Sequence, residues 1–537
     1  MLKINFKKFA DLCLALAVPA AVALSSCSDN DITSVDGNTN SDVEKSNLTT
    51  VKLATFNGDA SRITYGNGTR AEGDVLSLVA TIANPSKAEG FNFSKETDGR
   101  YMSATSVYYN DADGKYYVTY HMQGNNYNTE LTTETAGAIQ EFSFNEEGEL
   151  VLGKGFRAAD PRAEDFDFNH IYFDQTSNRI IAAGHNVLKG NQKDTHAIVG
   201  VFNPTDSEFK YALVKTNEKV YADFANPDNK DGHKTNQLVD YADAGDVNCI
   251  VRTNDNPNPW GWPLYLVATR KGMAVLSADE ETLFDPVLIP ETSGSDKYIR
   301  YFVNTPGSAK YIAPTGVSSY YGLLYLTYDH KAETGKDIEA TTSSPAKIAH
   351  ISINTHTGLY NGDLKDWGHI QTWNSPFAQL DPQKLDEFPE QEELPEDIQP
   401  VDGKNTLVLL GSVSETYAAL GKNGVYYKNG ETPADVMKFG DRPVNCVAVD
   451  NKVTESGHSQ KGYLYVANGA KLTILKRDTM EEVVSYNMPY KGENDEINES
   501  SANFIHVKKA DNGERIVTVA YGQAGVKIFK FVPPTKL

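Results

Sequence analysis

Cysteine is scarce in this 537-residue chain, four in all, so a disulfide-dense scaffold is excluded as the source of its stability. Basic residues are also few: 50 Lys and Arg stand against 72 Asp and Glu, a formal net charge of −22. A polyanion of this kind is a poor partner for nucleic acid or anionic headgroups, since both need a basic footprint. No long stretch of apolar residues at helical period follows residue 27. The self-identifying catalytic patterns HExxH, GxSxG, CxxC and the phosphate loop are missing as well. No metal and no cofactor is therefore expected, and no catalytic residue announces itself.

What is present begins at the N-terminus. Lys3, Lys7 and Lys8 precede an apolar run from Leu12 to Leu24. That run is too short to span a bilayer of ~30 Å comfortably as a helix and reads as a secretory signal. It ends in Leu24-Ser25-Ser26-Cys27, which resembles the lipobox of bacterial lipoproteins, so residues 1–26 are expected to be removed and Cys27 to be lipidated. Removal takes away Lys3, Lys7, Lys8 and Asp11, a net +2, and leaves −24. Residues 27–73 open with a polar tract, SDNDITSVDGNTNSDVEKSN, too poor in apolar side chains to offset its ordering entropy, and are expected to be a flexible tether. Asp29 and Asp31 resemble the export tags of Bacteroidota surface lipoproteins. That resemblance implies an outer-membrane, cell-surface location, with the periplasm-facing leaflet as the alternative.

Residues 74–537 read as a single all-β domain, with 41 Gly, 29 Tyr and 22 Phe in the chain. Three segments align: VNCIV (247–251) with PLYLVATRKGMAVL (263–276), VNCVAV (444–449) with GYLYVANGAKLTIL (462–475), and ANFIHV (502–507) with ERIVTVAYGQAGVKIF (514–529). Each is a short strand, a variable loop, a strand rich in Tyr, Leu and Val, a Gly turn and a third strand. Weaker copies at 105–121, 168–186, 321–353 and 406–427 bring the number to about seven. Such units bury both faces only by radial stacking, which predicts a seven-bladed β-propeller of four-stranded antiparallel blades. The last unit stops at Phe531 one strand short, and the N-terminal strand at 74–82 is expected to close it. An acidic, proline-punctuated insertion occupies 381–400.

The aligned strands, above all YLYVANG (463–469) followed by KLTIL, and VAYGQAGVKIF, resemble the LVIVD repeats of bacterial propeller proteins. With LSSC in front, the chain is similar to propeller-type surface lipoproteins of the Bacteroidota. The resemblance implies an architecture and a place rather than a reaction, and it carries no ligand.

In a propeller the first strand of each blade lines the channel, so polar residues at those strand starts are candidate ligand-binding groups. They are Asp167, Asn169 and His170, Asp246 and Asn248, Arg442 and Asn445, and Asn503 and His506. Converging from separate blades they suit a sugar hydroxyl or a metal; alternatively the Asn and Asp cap turns and satisfy backbone groups. Trp260 and Trp262, stiffened by neighbouring Pro and Gly in NPNPWGWPLY (256–265), suit stacking on a sugar face. The expected function is non-catalytic binding of a glycan or protein partner at one rim. One alternative is a glycoside hydrolase or polysaccharide lyase using Asp167 and Asp246, since hydrolysis takes two carboxylates roughly 5–10 Å apart. The other is a structural part of a surface assembly. Cys249 and Cys446 hold the same place in two units, far apart in a ring, so no disulfide between them is expected.

Overall fold

A computed structural model describes residues 48–66, 75–86, 89–91, 101–123, 137–158, 164–188, 195–216, 244–252, 264–270 and 272–290. It also describes strand segments between 298 and 352 and between 410 and 450, then 463–468, 471–476, 481–487, 490–491, 497–498, 502–510 and 512–534. Cys27, Trp260, Trp262, Arg442 and the insertion at 381–400 lie outside these residues. Among the described residues the chain is all-β, with one 3-10 turn at Ala60–Arg62 and no helix long and apolar enough to cross a membrane.

The strands are β1 (Thr49–Asn57), β2 (Ile63–Tyr65), β3 (Leu76–Ile82), β4 (Tyr101–Asn110), β5 (Lys115–Gln123), β6 (Ala138–Phe144) and β7 (Leu150–Ala158). They continue with β8 (Glu164–Asp174), β9 (Arg179–Leu188), β10 (Thr195–Asn203), β11 (Glu208–Leu213), β12 (Val247–Arg252), β13 (Leu264–Thr269) and β14 (Gly272–Ser277). β4 to β7 form one antiparallel meander and β8 to β11 a second; β12 to β14 with Phe302–Asn304 form a third. A further four-stranded sheet runs from Val444–Asp450 through Tyr463–Asn468 and Lys471–Lys476 to Glu482–Asn487. The hairpin Asp111-Ala112-Asp113-Gly114 illustrates why these strands turn where they do. Gly114 takes φ +74°, Asn110 Oδ1 accepts the Ala112 amide at 3.0 Å and Asp113 Oδ1 the Lys115 amide at 3.0 Å, bonds that close the turn.

The first strands sit side by side: β4 beside β8, β8 beside β12, β12 beside Gly307–Pro314, and Val444–Asp450 beside Phe504–Lys509, which returns to β4. Between successive units lie separate apolar layers. One joins Tyr117, Ile139 and Phe156 of the first unit to Phe166, Phe168 and Phe209 of the second. Another joins Ile181, Ala183 and Val199 of the second to Ile250, Tyr265 and Val267 of the third. The inner strands are therefore covered on both faces, and Leu264–Thr269 and Tyr463–Ala467 are buried at every position, the origin of their unbroken apolar sequence. The architecture is propeller-like.

The N-terminal segment holds the ring together. β3 pairs antiparallel with Val526–Phe531, with Ala80 opposite Ile528, and supplies the strand that the last unit lacks. β2 adds a fifth strand. Asn84 Nδ2 donates to the carbonyls of Met102, Gly522 and Gln523 at 2.7, 3.0 and 3.1 Å, tying the last unit to the first. Residues 49–65, expected within the tether, instead form β1, the turn and β2. β1 pairs through Thr49–Lys52 with β11 and through Leu53–Asn57 with β7, so one strand caps two neighbouring sheets. Leu53 and Phe56 are buried, and Gly155 leaves room for the Phe56 ring, since a Cβ there would lie 1.9 Å from it. Arg62, also buried, is locked by an ion pair with Glu89 and a bond to Ala83 O at 2.8 Å. These apolar and paired side chains explain why this stretch is ordered.

Candidate functional site

The starts of the first strands share an irregularity. The ladder shifts between Ala104 and Ser106, Phe168 and His170, Val247 and Cys249, and Val444 and Cys446. The extra residues are Thr105, Asn169, Asn248 and Asn445. A bulge leaves a residue out of the ladder and frees its side chain to point elsewhere. Thr105 Oγ1 donates to Phe168 O at 2.7 Å, and Asn169 Nδ2 donates to Val247 O at 3.0 Å. At the matching place in the last unit, Asn503 Nδ2 donates to Ala104 O at 2.9 Å. In every case the acceptor is the residue just before the corresponding position of the next unit. Asn169 and Asn503 are therefore inter-unit latches rather than ligand-facing groups, the outcome of the backbone-satisfying alternative. Asn248 and Asn445 occupy the same bulge, the side chain of Asn445 lying outside the described residues.

His170 is a core residue, and His506, only part-buried, packs against the ring of Tyr108. His170 is buried, accepts the Ile250 amide on Nδ1 at 3.2 Å, and sits edge-on to Phe504. Burial lowers its pKa to about 3. His506 lies 4.5 Å, ring to ring, from Tyr108, and burial, assisted by Lys508, lowers its pKa to about 3 too. Both are neutral, which fits packing between aromatics. Cys249 is a buried thiol outside any disulfide, and its strand and that of Cys446 belong to different sheets.

What does converge is Asp167 and Asp246, on two histidines from second strands. His121 and His185 lie near the ends of β5 and β9. His185 sits between the two carboxylates, Nε2 3.5 Å from Asp167 Oδ2 and Nδ1 3.2 Å from Asp246 Oδ1. The His121 ring is 5.3 Å from the His185 ring. Ligand atoms of His121, Asp167 and His185 all lie within 4.8 Å of one another, and all three residues are buried. His121 Nδ1 has no hydrogen-bond partner among the described residues. The second oxygen of Asp167 is fixed by the Met122 amide at 2.7 Å, and Asp246 Oδ1 also accepts from Asn169 Nδ2 at 2.7 Å. Burial pushes the Asp246 pKa up, but the charge and hydrogen bond of His185, with His121 and Asn169, outweigh it and hold the carboxyl below its ordinary value. The chain thus builds a His-Asp-His-Asp row in which the first unit gives His121, the second Asp167 and His185, and the third Asp246.

Neither histidine was among the sequence candidates. The signal lay in the repeat register. GKYYVTYH and NRIIAAGH place a histidine alike at the end of the second strand, and each meets an aspartate from the start of the next unit's first strand.

A second buried polar knot lies toward the other end of β8. Asp174 accepts from Ser177 Oγ at 2.6 Å, Tyr265 Oη at 2.5 Å and Arg252 at 2.8 Å. Burial raises its pKa, yet these donors together lower it overall. It joins the second unit to the third.

No protein-family profile matches the chain, and no curated protein matches it in sequence. Among solved structures, BBS1N in complex with ARL6DN, soaked with mercury, is similar at 11% identity over 83% of this chain and 97% of that one, TM-score 0.39. Sqt1 of Saccharomyces cerevisiae is similar at 10% identity over 81% and 98%, TM-score 0.36, and the AfRom2 CNH domain at 9% over 86% and 99%, TM-score 0.35. Similarities this low carry nothing about activity, and the description of the fold rests on the strand pairing above.

Proposed function

We propose that the chain is an exported lipoprotein, anchored through Cys27 in the outer membrane and facing the cell surface. Its seven-bladed propeller of four-stranded blades binds a glycan or protein partner at one rim without transforming it. Six first strands that neighbour one another in the order of the units, β4, β8, β12, Gly307–Pro314, Val444–Asp450 and Phe504–Lys509, support this reading, in which the repeat at 406–427 is taken as the seventh. The observation that carries non-catalytic binding is the condition of the two carboxylates on which hydrolysis would depend. Asp167 Oδ1 accepts the Met122 amide, and Asp246 accepts from Asn169 and lies 3.2 Å from His185, with its pKa lowered. A glycosidase acid has to hold a proton near neutral pH, which takes a raised pKa. Trp260 and Trp262 supply the stacking surface for a sugar.

Glycan-array screening of the chain starting at Ser28 tests this reading. Retention of one glycan class, weakened tenfold or more in Trp260→Ala with Trp262→Ala, is the expected result. Turnover of a polysaccharide by the same protein, abolished in Asp167→Asn, overturns it in favour of an enzyme.

A further inference from the structure

We infer that His121, Asp167 and His185 hold one divalent transition-metal ion, with Asp246 orienting His185 from behind, and that the ion rivets the first three units together. Asp167 was already a candidate for a sugar hydroxyl or a metal, but His121 and His185 were not, because donors scattered over two meanders form no spaced motif.

Three features of the cluster point to it. First, the 3.5 Å between His185 Nε2 and Asp167 Oδ2 is long for an N–H···O bond, whose range is about 2.7–3.2 Å. It matches the edge of a tetrahedron with metal–ligand bonds of about 2.0–2.2 Å, roughly 3.3–3.6 Å. Second, His121 offers an unpartnered Nδ1 although the residue is only 9% exposed. A buried polar atom without a partner costs free energy, and a metal–ligand bond removes that cost. Third, the surroundings are those of a metal site. Asp246 lies 3.2 Å from the far nitrogen of His185, and the Met122 amide fixes the second oxygen of Asp167, the kind of outer carboxylate and amide support that orients metal-binding side chains.

Two imidazoles and one carboxylate favour Zn²⁺ or a neighbouring first-row ion; Ca²⁺ wants six to eight oxygens and Mg²⁺ an octahedral, largely hydrated shell. The cluster is buried and its ligands come from the first and second units, with the third behind them. That placement suits a structural cross-link rather than an open catalytic site. The inference does not depend on the ligand proposed above.

The test is to strip the purified full chain with chelator, add Zn²⁺, desalt, and measure bound metal and thermal midpoint. About one equivalent of retained Zn²⁺ and an upward shift of roughly a few degrees are expected. Co²⁺ in its place should give the intense visible absorption of a tetrahedral site. His121→Gln with His185→Gln should retain no metal and show no shift. If that variant fails to fold, Asp246→Asn keeps all three ligands and should bind Zn²⁺ about 10–100-fold more weakly. Absence of retained Zn²⁺ in the unaltered chain overturns the inference. So does an equivalent that persists in the double variant, or an Asp246→Asn affinity equal to that of the unaltered chain.

Discussion

A single amide side chain can hold one unit to the next. Asn169 reaches both Val247 O and the ionised Asp246, and Asn503 makes the corresponding bond to Ala104 O. Asn169→Ala leaves a charged acceptor and a freed carbonyl without their donor, a loss of about 1.5–3 kcal/mol for a bond to a charged group. Urea unfolding should show that fall, while Asn169→Asp, isosteric but placing a second charge beside Asp246, should be worse; equal stability of the alanine variant would remove the latch from the account. The sequence placed these asparagines at strand starts and left two roles open. Residue type could not decide, because the choice depends on a bulge whose presence is a property of paired strands. His121 and His185 were illegible for a related reason. A histidine closing an apolar strand looks like any strand end until the next unit sets an aspartate against it.

At the level of strands, the repeat made much of the architecture readable. The unbroken apolar runs YLYLVA and YLYVA announced strands covered on both faces, and the shortfall after Phe531 pointed to 74–82 as the missing strand. β1 escaped because TTVKLATFN sits beside a polar tract and alternates only weakly, while its partners, β7 and β11, are more than 90 residues away in sequence. Deleting residues 74–82 uncovers Val526–Phe531 and removes Ala80 and Ile82 from the layer between the last and first units. The deletion should cost several kcal/mol, since a buried apolar side chain contributes about 1.5–3 kcal/mol. A melting temperature equal to that of the intact chain would contradict closure. Phe56→Ala should cost about 3–5 kcal/mol by emptying the space against Gly155 and Phe91, measured the same way.

For the molecule as a whole, two neutral histidines set an acid limit. His170 and His506 have folded pKa values of about 3 against an unfolded value of about 6.5. The unfolded chain therefore takes up the protons first. Stability is complete above pH ~6.5 and falls on acidification toward pH ~3, by up to roughly 1.4 kcal/mol per pH unit for each histidine. His506→Phe should flatten the decline between pH 6 and pH 4 in urea titrations; an unchanged slope would show that other groups dominate. Anchoring is checked in cells. A clickable fatty acid should label the chain, and Cys27→Ala should abolish the label.

The pairing of β3 with the last strand also governs when the molecule can be made. Synthesis delivers the N-terminus first, yet the partner strand of β3 arrives about 450 residues later, and joining ends that far apart carries a loop-closure entropy that grows as the logarithm of length. Until Val526–Phe531 emerges, β3 is an unpaired edge on an incomplete stack, the state most open to proteases and to pairing with another chain. Completion is thus a final, all-or-none event. A chain truncated anywhere before residue 526 should be cleared by quality-control proteases instead of persisting as a smaller stable ring.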